Sequence, residues 1–397
     1  MGNLFCSFFM LTKRFNLFLI WALLASIFTS CANVKNIDLL VRDVQLFDGE
    51  QVIKHADIYV RKGLIVKIDS NKTGNNFNIK SVVEGNNKTL IPGLINAHCH
   101  LASPDNLKEA AQAGVLTMIE LLRMNEDEIK HYRKKAQKAE YAYFYTAGMA
   151  ADKPDGVVKF YTGSLNTFAP STRLEAKEFI QKRKQKGVDF IKIIQDSRLP
   201  QKFSDTLFDA LISETHKNNL LAVVHSEILA DAEYEFSHGA DIIAHGWVDR
   251  KISDSTLAEW KSRPFAVTPT LLVHCKAKKE DNPKSYLLSE NEIVEQMGIV
   301  HRSGIPLLAG TDAPADGVNF TTDLYAELAL YVDAGLTPLE ALKTATSNPA
   351  KAYKLNERGV IRVGASADFV LVDGDVLKDI SLLSRINAVW KQGKQIR

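Results

Sequence analysis

The chain has 397 residues, enough for one large domain and a smaller companion. Its 49 lysines and arginines nearly balance its 47 aspartates and glutamates, giving a net charge of +2, and the absence of a basic patch argues against nucleic-acid binding. The four cysteines, Cys6, Cys31, Cys99 and Cys275, show no Cys-x-x-Cys spacing, which argues against a structural zinc or a disulfide framework.

Residues 1–30 are predicted to be an export signal rather than part of the fold. Lys13 and Arg14 precede an apolar stretch that is too short for a comfortable membrane span. Because the segment that ends at Cys31 resembles a bacterial lipoprotein signal, we expect an exported protein that begins at Cys31. A lipid there would anchor it to a membrane, facing the periplasm or the cell surface. An ordinary secretory signal or N-terminal anchor stays open, and Met10 competes with the first methionine as the start.

Short strand-like runs occur near both ends of the mature chain. Those of the N-terminal part, 31–92, lie at 38–44, 56–60 and 64–68, and those of the C-terminal part, 358–397, lie at 359–361, 367–372 and 386–390. Turn residues such as Gly63 and Gly393 separate them. The N-terminal runs predict a small antiparallel β unit, and we expect the two parts to join in one small β-sandwich.

Eight apolar runs fill the intervening segment, 93–357. They lie at 93–98, 116–120, 141–146, 190–194, 220–225, 241–245, 265–271 and 306–312. Near-continuous apolar runs are typical of parallel strands covered by helices, and helical patterns such as 204–218 lie between them. The segment therefore predicts an α/β fold, a distorted (β/α)8 TIM barrel beside the sandwich.

Six side chains able to bind metal stand at the ends of these runs. They are His98, His100, Lys192, His225, His245 and Asp312. The intervals after His100 are 92, 33, 20 and 67 residues, which at about 30 residues per βα unit correspond to strands 1, 4, 5, 6 and 8. Because barrel active sites lie at the C-terminal ends of the strands, the six side chains are predicted to share one pocket.

The residue types support a metal site, with an alternative at each position. His98 and His100 are two apart on a strand and point the same way. Lys192 interrupts an apolar run, so burial is expected to lower its pKa and to let a neutral amine capture CO2 as a carbamate that bridges two metals. As alternatives, Lys192 reaches solvent or pairs with an acidic side chain, and His225 and His245 are hydrogen-bonded histidines of the core. Asp312 would then be the N-cap of the next segment.

Two further histidines are weighed against this set. His238 competes with His245, which is preferred because it directly follows an apolar strand, whereas His238 is expected to end a helix. His274, just past the seventh run, could contact substrate or be structural. Cys99 alternates with His98 and His100, so it is expected to pack outside the site.

The motifs resemble the amidohydrolase superfamily, in its imidazolonepropionase-like and Xaa-Pro dipeptidase (prolidase)-like branch. The matching segments are Ile91-Pro92-Gly93 through His100, 189–193, His225, Ala244-His245-Gly246, Thr268-Pro269-Thr270-Leu271, 309–313, 346–350 and 364–370. The resemblance covers about residues 37–397. Asn96 replaces the family's usual Asp, and the loops Glu120–Arg123 and Asp152–Tyr161 depart from the family pattern, which leaves the substrate open.

The resemblance implies a binuclear zinc enzyme with a carboxylated Lys192. His98, His100, Lys192 and Asp312 would hold one ion, and Lys192, His225 and His245 the other. A metal-bridging hydroxide would hydrolyse a C–N amide bond in a dipeptide, an N-acyl amino acid or a cyclic amide, with Asp312 carrying the proton. The alternatives are a mononuclear deaminase of the same superfamily and a non-catalytic lipoprotein scaffold. The expected partners are the small-molecule substrate, the membrane through the lipid anchor and, as an alternative to a monomer, further copies of the chain.

Overall fold

A computed structural model describes residues 36–71, 77–122, 125–154, 156–157, 159, 169–199, 201–277 and 287–397. The predicted export signal and Cys31 lie outside these residues, as do Arg123, Asp155 and Tyr161 of the predicted pocket loops. Among the described helices, none combines the length and the apolar character needed to cross a bilayer.

The described residues contain seventeen strands and eleven α-helices, numbered here in chain order. The strands are β1 Asn36–Ile37, β2 Leu39–Phe47, β3 Val52–Arg61, β4 Leu64–Asp69, β5 Asn78–Ile79, β6 Val82–Glu84, β7 Lys88–Pro92, β8 Leu94–Cys99, β9 Val115–Glu120, β10 Tyr143–Thr146, β11 Ile191–Ile194, β12 Ala222–His225, β13 Ile242–Ala244, β14 Ala266–Thr268, β15 Phe369–Asp373, β16 Ile386–Lys391 and β17 Lys394–Gln395. The helices are α1 Asp105–Gln112, α2 Glu126–Ala136, α3 Arg173–Gln185, α4 Asp205–Lys217, α5 Leu229–Ser237, α6 Asp254–Trp260, α7 Leu271–Ala277, α8 Glu290–Arg302, α9 Asp323–Asp333, α10 Pro338–Thr344 and α11 Ser347–Ala352.

Strands from both ends of the chain form one sheet beside the barrel. Its order is β17-β16-β15-β7-β2-β3-β4, with β6 also paired to β2. The antiparallel pair β7–β15 joins the two ends and places Leu90 opposite Leu371. The two-stranded β1–β5 sheet packs on this sheet through Ile37, Tyr59 and Phe77. The predicted β-sandwich of both termini is confirmed.

Two details of the sandwich differ from the sequence prediction. β2 pairs in parallel with β6 and β7, so the N-terminal unit is mixed rather than antiparallel. The predicted strand at 359–361 is wrong: this segment is a connection between helix α11 and strand β15, with the Ile361 amide donating to Asp48 O at 2.8 Å. Gly359 explains the difference, because its φ of +65° and its close approach to Thr346 O turn the backbone there.

The barrel wall is built from two parallel groups of strands. β10-β9-β8 form one and β11-β12-β13-β14 the other. Between β10 and β11, Ala151 donates to Lys192 O at 2.8 Å and accepts from the Ile194 amide at 2.9 Å. On the other side, Leu308 donates to Val267 O and the Ala97 amide donates to Ala309 O. The eighth run therefore closes the ring by parallel backbone pairing, as in the predicted TIM barrel.

The seventh run ends earlier than predicted. β14 stops at Thr268 and helix α7 begins at Leu271, whereas the prediction extends the strand to residue 271. Pro269 offers no amide to a neighbouring strand, and Thr270 has a φ of +47°, so the chain turns into the helix at this point.

Strand alternation sorts the side chains of the wall into two layers. Ile191 and Ile193 of β11 pack with the outer helices in the main apolar cluster, as Val224 of β12 does. Lys192 lies between the two isoleucines and pairs with Val223, which belongs to the inner cluster. Alternation thus turns the lysine into the barrel interior.

Candidate metal centre

Four histidines form a continuous row at the C-terminal ends of the barrel strands. Their ring centroids are 5.1 Å apart for His98 and His100, 4.6 Å for His98 and His245, and 4.5 Å for His225 and His245. His98, His225 and His245 are buried, and His100 is partly exposed. The structure thus brings together side chains that lie up to 147 residues apart in the sequence.

Asp312 approaches this row from the eighth run. Its Oδ1 lies 2.7 Å from Nε2 of His100 and 3.2 Å from Nε2 of His98. Potential ligand atoms of His98, His245 and Asp312 all lie within 4.8 Å of one another. Asp312 has a φ of +57° and His245 one of +78°, a conformation that is rare for non-glycine residues and clusters at functional sites.

Lys192 lies in the barrel wall beneath the same groups and is 1% exposed. Its Nζ makes no hydrogen bond among the described residues. Burial lowers the pKa of Lys192 to about 8, although the negative charges of Asp312, Glu235 and Glu120 oppose the shift. Roughly one tenth of this amine is therefore neutral at pH 7, far more than for an ordinary lysine, and this fraction can react.

The group fits a bound cation. Asp312 Oδ1 lies close to the rings of His98 and His100, but these contacts lack the angles of hydrogen bonds. Nδ1 and Nε2 of His98, Nδ1 of His100 and Oδ1 of Asp312 are therefore buried without a hydrogen-bond partner in the described part of the chain. Buried polar atoms are rarely left so. Burial, reinforced by neighbouring positive charge, holds the pKa values of His98 and His245 well below the usual range. Both rings are neutral, as metal ligation requires.

Two neighbouring side chains orient the ligand-bearing segments. Thr270 Oγ lies 3.0 Å from Nδ1 of His245, which leaves Nε2 of that ring to face the cluster. Asn96 Nδ2 donates to Thr311 Oγ at 2.8 Å, and its Oδ1 accepts the amides of His98 and Thr311. The asparagine that departs from the family pattern thus ties the His98 strand to the segment of Asp312.

An ion-pair network that sequence reasoning missed borders His225. Asp196 Oδ2 lies 3.4 Å from Nε2 of His225, and Glu227 Oε1 lies 3.8 Å from it. Arg198 bonds both carboxylates, at 2.5 Å to Asp196 and 2.8 Å to Glu227. Burial raises the pKa of Asp196, but hydrogen bonds from His225 and Arg198 outweigh it and hold that pKa well below its usual range. Position alone could have suggested Asp196 and Glu227, because each is the second residue after a ligand-bearing strand.

His238 and Cys99 lie apart from the histidine row, whereas His274 adjoins it. His238 follows α5, stacks on Tyr234 at 3.9 Å and lies apart from the histidine row, as predicted. Cys99 packs in the outer apolar cluster and donates to Ile119 O. His274, on α7, is buried with its ring centroid 6.2 Å from that of His245, so it adjoins the row.

The family model described as the amidohydrolase family matches residues 89–396, which span the barrel, the histidine row and the return to the sandwich. The chain belongs to the amidohydrolase family. Membership makes the protein a hydrolase of the amidohydrolase superfamily and confirms the family predicted from the sequence motifs.

Relatives place the chain among varied members of this family. It is 24% identical over 381 residues to an adenine deaminase of Lysinibacillus sphaericus, covering 90% of this chain and 57% of that protein. It is 40% identical over 74 residues to an imidazolonepropionase of Pyrobaculum arsenaticum, covering 19% of this chain and 18% of that protein. A solved Xaa-Pro dipeptidase, with methionine in its active site, shares the fold with a TM-score of 0.75 and 18% identity over 90% of this chain and 99% of the dipeptidase.

Proposed function

We propose that this protein is a metal-dependent hydrolase of a C–N amide bond, in a dipeptide, an N-acyl amino acid or a cyclic amide. The observation that carries the proposal is the buried amine of Lys192, which lacks a hydrogen-bond partner among the described residues and interacts electrostatically with the neutral rings of His98 and His245. An ammonium in this position would cost several kcal/mol with no compensating bond. A carbamate bound to cations removes that cost.

Lys192 would acquire its carboxyl group from dissolved CO2. The neutral Nζ attacks the carbon, an N–C bond forms and one proton is released to solvent. The product is an anion with two oxygens at the place where the structure has a single amine. We assign His98, His100, Asp312 and the carboxylated Lys192 to one ion, and Lys192, His225 and His245 to a second.

When bound, divalent ions, which we propose to be zinc because imidazole and carboxylate ligands suit it, would acidify a water and polarise the scissile carbonyl. The protein's own residues orient the groups and move the proton. Asp312 accepts the proton of the attacking water at a carboxylate oxygen and returns it to the leaving nitrogen. Thr270 and Asn96 keep the ligand segments in register while this happens.

Metal content and substrate screening test the proposal together. Protein prepared without chelators should contain two divalent ions per chain and should hydrolyse members of a dipeptide and N-acyl amino acid library. One ion per chain, with activity unchanged in Lys192→Ala, would favour a mononuclear deaminase, the activity named for the adenine deaminase relative. Absence of metal and activity would favour a binding scaffold.

We also propose that the protein is an exported lipoprotein. The support is the sequence alone, Lys13 and Arg14 before the apolar stretch and the cysteine at position 31. Mass spectrometry of protein extracted from membranes should find lipid on Cys31 as the first residue, and Cys31→Ser should release the protein or block processing. An intact residue 1 or 10 on native protein would contradict this.

A further inference from the structure

Thr270 stands where a helix normally receives its N-cap. It immediately precedes α7, and threonine in that position usually accepts an amide of the first turn through its hydroxyl. Here the hydroxyl lies 3.0 Å from Nδ1 of His245 instead. The first amides of α7 therefore need another acceptor.

Glu327 supplies that acceptor from a distant helix. This residue of α9 is completely buried, and its Oε1 accepts the Leu271 amide at 2.9 Å while Oε2 accepts the Leu272 amide at 2.7 Å. Both carboxylate oxygens are thus bonded to the residues that directly follow Thr270. Because Thr270 has a φ of +47°, these bonds fix a backbone conformation that threonine rarely adopts.

The same helix also contacts the segment that carries Asp312. One turn beyond Glu327, the hydroxyl of Tyr331 donates to Leu308 O at 3.0 Å, in the run that ends at Asp312. Helix α9 therefore bonds to the backbone next to Thr270 and to the backbone of the run that ends at Asp312.

We propose that Glu327 is a positioning residue of the metal centre, fixing Thr270 through the two amides so that Thr270 in turn fixes the ring of His245. This inference rests on the proposed function, because it assigns His245 to a metal ion. With the proton of His245 on Nδ1 and donated to Thr270 Oγ, Nε2 is the nitrogen available to the ion. The position is costly, since burial raises the pKa of Glu327 to about 7 despite the two amide bonds. A carboxylate retained at such a cost is better explained by orientation of the turn than by stability.

The test is a double-mutant cycle on metal affinity. Zn²⁺ binding is measured by competition with a chromophoric chelator for the wild type, Glu327→Gln, Thr270→Val and the double variant. Glu327→Gln keeps the size of the side chain but presents an amide NH2 to one backbone N–H. We expect Glu327→Gln to lower the affinity for the Zn²⁺ ion at His245 by about tenfold. We expect Thr270→Val to lower the same affinity by about 10- to 100-fold. The double variant should bind no more weakly than Thr270→Val alone, because the two residues act in series.

Leu328→Ala is the matched control. Leu328 is equally buried on the same helix, and its truncation lowers the melting temperature without touching the amides of α7. It should leave Zn²⁺ affinity within about twofold of the wild type. If Leu328→Ala lowers the Zn²⁺ affinity as much as Glu327→Gln does, loss of stability explains the effect and the inference is wrong.

Other outcomes separate the inference from the proposed function. Wild-type protein that binds no Zn²⁺ contradicts the proposed function itself. Tight wild-type binding with an unchanged Glu327→Gln overturns only the role of Glu327, and multiplicative effects in the double variant overturn its route through Thr270. If Glu327→Gln does not fold, Glu327→Asp, which keeps the charge but is one methylene shorter, should show the same loss of affinity. The visible spectrum of the Co²⁺ protein should change with it, and an unchanged spectrum and affinity would overturn the inference.

Discussion

Among the described residues, two lysines are buried, in different regions and with opposite surroundings. Lys391, at the end of β16, donates to the carbonyls of Ala136, Lys138 and Tyr141 at 2.7, 3.1 and 2.5 Å. Lys192, in the barrel interior, makes no such bond among the described residues. Burial lowers the pKa of each to about 8. A pKa shift alone therefore does not mark a functional lysine, whereas the missing partners do.

The surroundings of Lys391 show what a structural buried lysine requires. Its Nζ lies 3.9 Å from the centroid of the Tyr143 ring, in addition to the three carbonyls. These contacts tie the sandwich sheet to the end of α2 and to β10 of the barrel. Every donor of the ammonium is used, so the charge is tolerated where it is. Lys192 has charged neighbours but no acceptor in the described ranges of the chain, which leaves its amine available for chemistry.

The largest expected effect separates the two lysines by activity. Lys192→Ala should lower kcat/KM by several orders of magnitude and reduce the metal content, because both ions lose a ligand. Short carboxylic acids added to the variant should restore part of the activity by filling the gap. Lys192→Arg should not restore it, since guanidinium stays charged and cannot take up CO2. Tolerance of Arg with unaltered metal content would make Lys192 structural, like Lys391.

Lys391→Met should show the reverse pattern. Three backbone carbonyls lose a charged donor, so we expect the free energy of unfolding to fall by about 3 kcal/mol. Metal content and kcat should stay within about twofold of the wild type. Urea denaturation and elemental analysis measure the two quantities, and a loss of metal without a loss of stability would remove the distinction between the lysines.

The sequence predicts which residues lie at the site better than it predicts the tertiary hydrogen bonds that hold them. His98, His100, His225, His245 and Asp312 each directly follow or end an apolar run, and a closed barrel brings the ends of such runs together. The burial of Lys192 likewise follows from its place in an apolar strand.

Side chains that act through tertiary contacts leave no such signal. Glu327 lies in α9, where one acidic residue among apolar ones suggests an ordinary amphipathic helix, and its partners are 55 and 56 residues away. Lys391 precedes a Gln-Gly turn and resembles an exposed strand end. The early end of the seventh run coincides with the positive φ of Thr270 and with the bonds from the next two amides to Glu327. Local patterns cannot supply these contacts.

A smaller effect concerns the metal-free protein and its dependence on pH. Because the pKa of Lys192 is lowered from 10.5 to about 8, the unfolded chain binds more protons between these values, and stability of the metal-free wild type should rise with pH across this window. Below pH 8 the folded protein carries the full free-energy cost of burying the charged Lys192 amine. Lys192→Met should therefore stabilise the metal-free protein at pH 7 by about 2 kcal/mol. It should show a smaller rise than the wild type, because only Lys391, whose pKa is also lowered to about 8, still contributes.

Thermal unfolding of chelator-treated protein at pH 7 and pH 10 measures this effect. Lys391→Met serves as the control, because it should destabilise the protein at both pH values. A destabilised Lys192→Met would indicate that the amine has stabilising partners in the metal-free state, which would contradict the contrast between the two lysines.

The most direct test of the carboxylated lysine is ¹³C NMR of protein reconstituted with zinc and ¹³C-labelled bicarbonate. The account predicts one protein-bound carbamate resonance, present with two zinc ions per chain, retained in Lys391→Met and absent from Lys192→Met. No carbamate resonance in the active, metal-loaded wild type, or a resonance that persists in Lys192→Met, would contradict it.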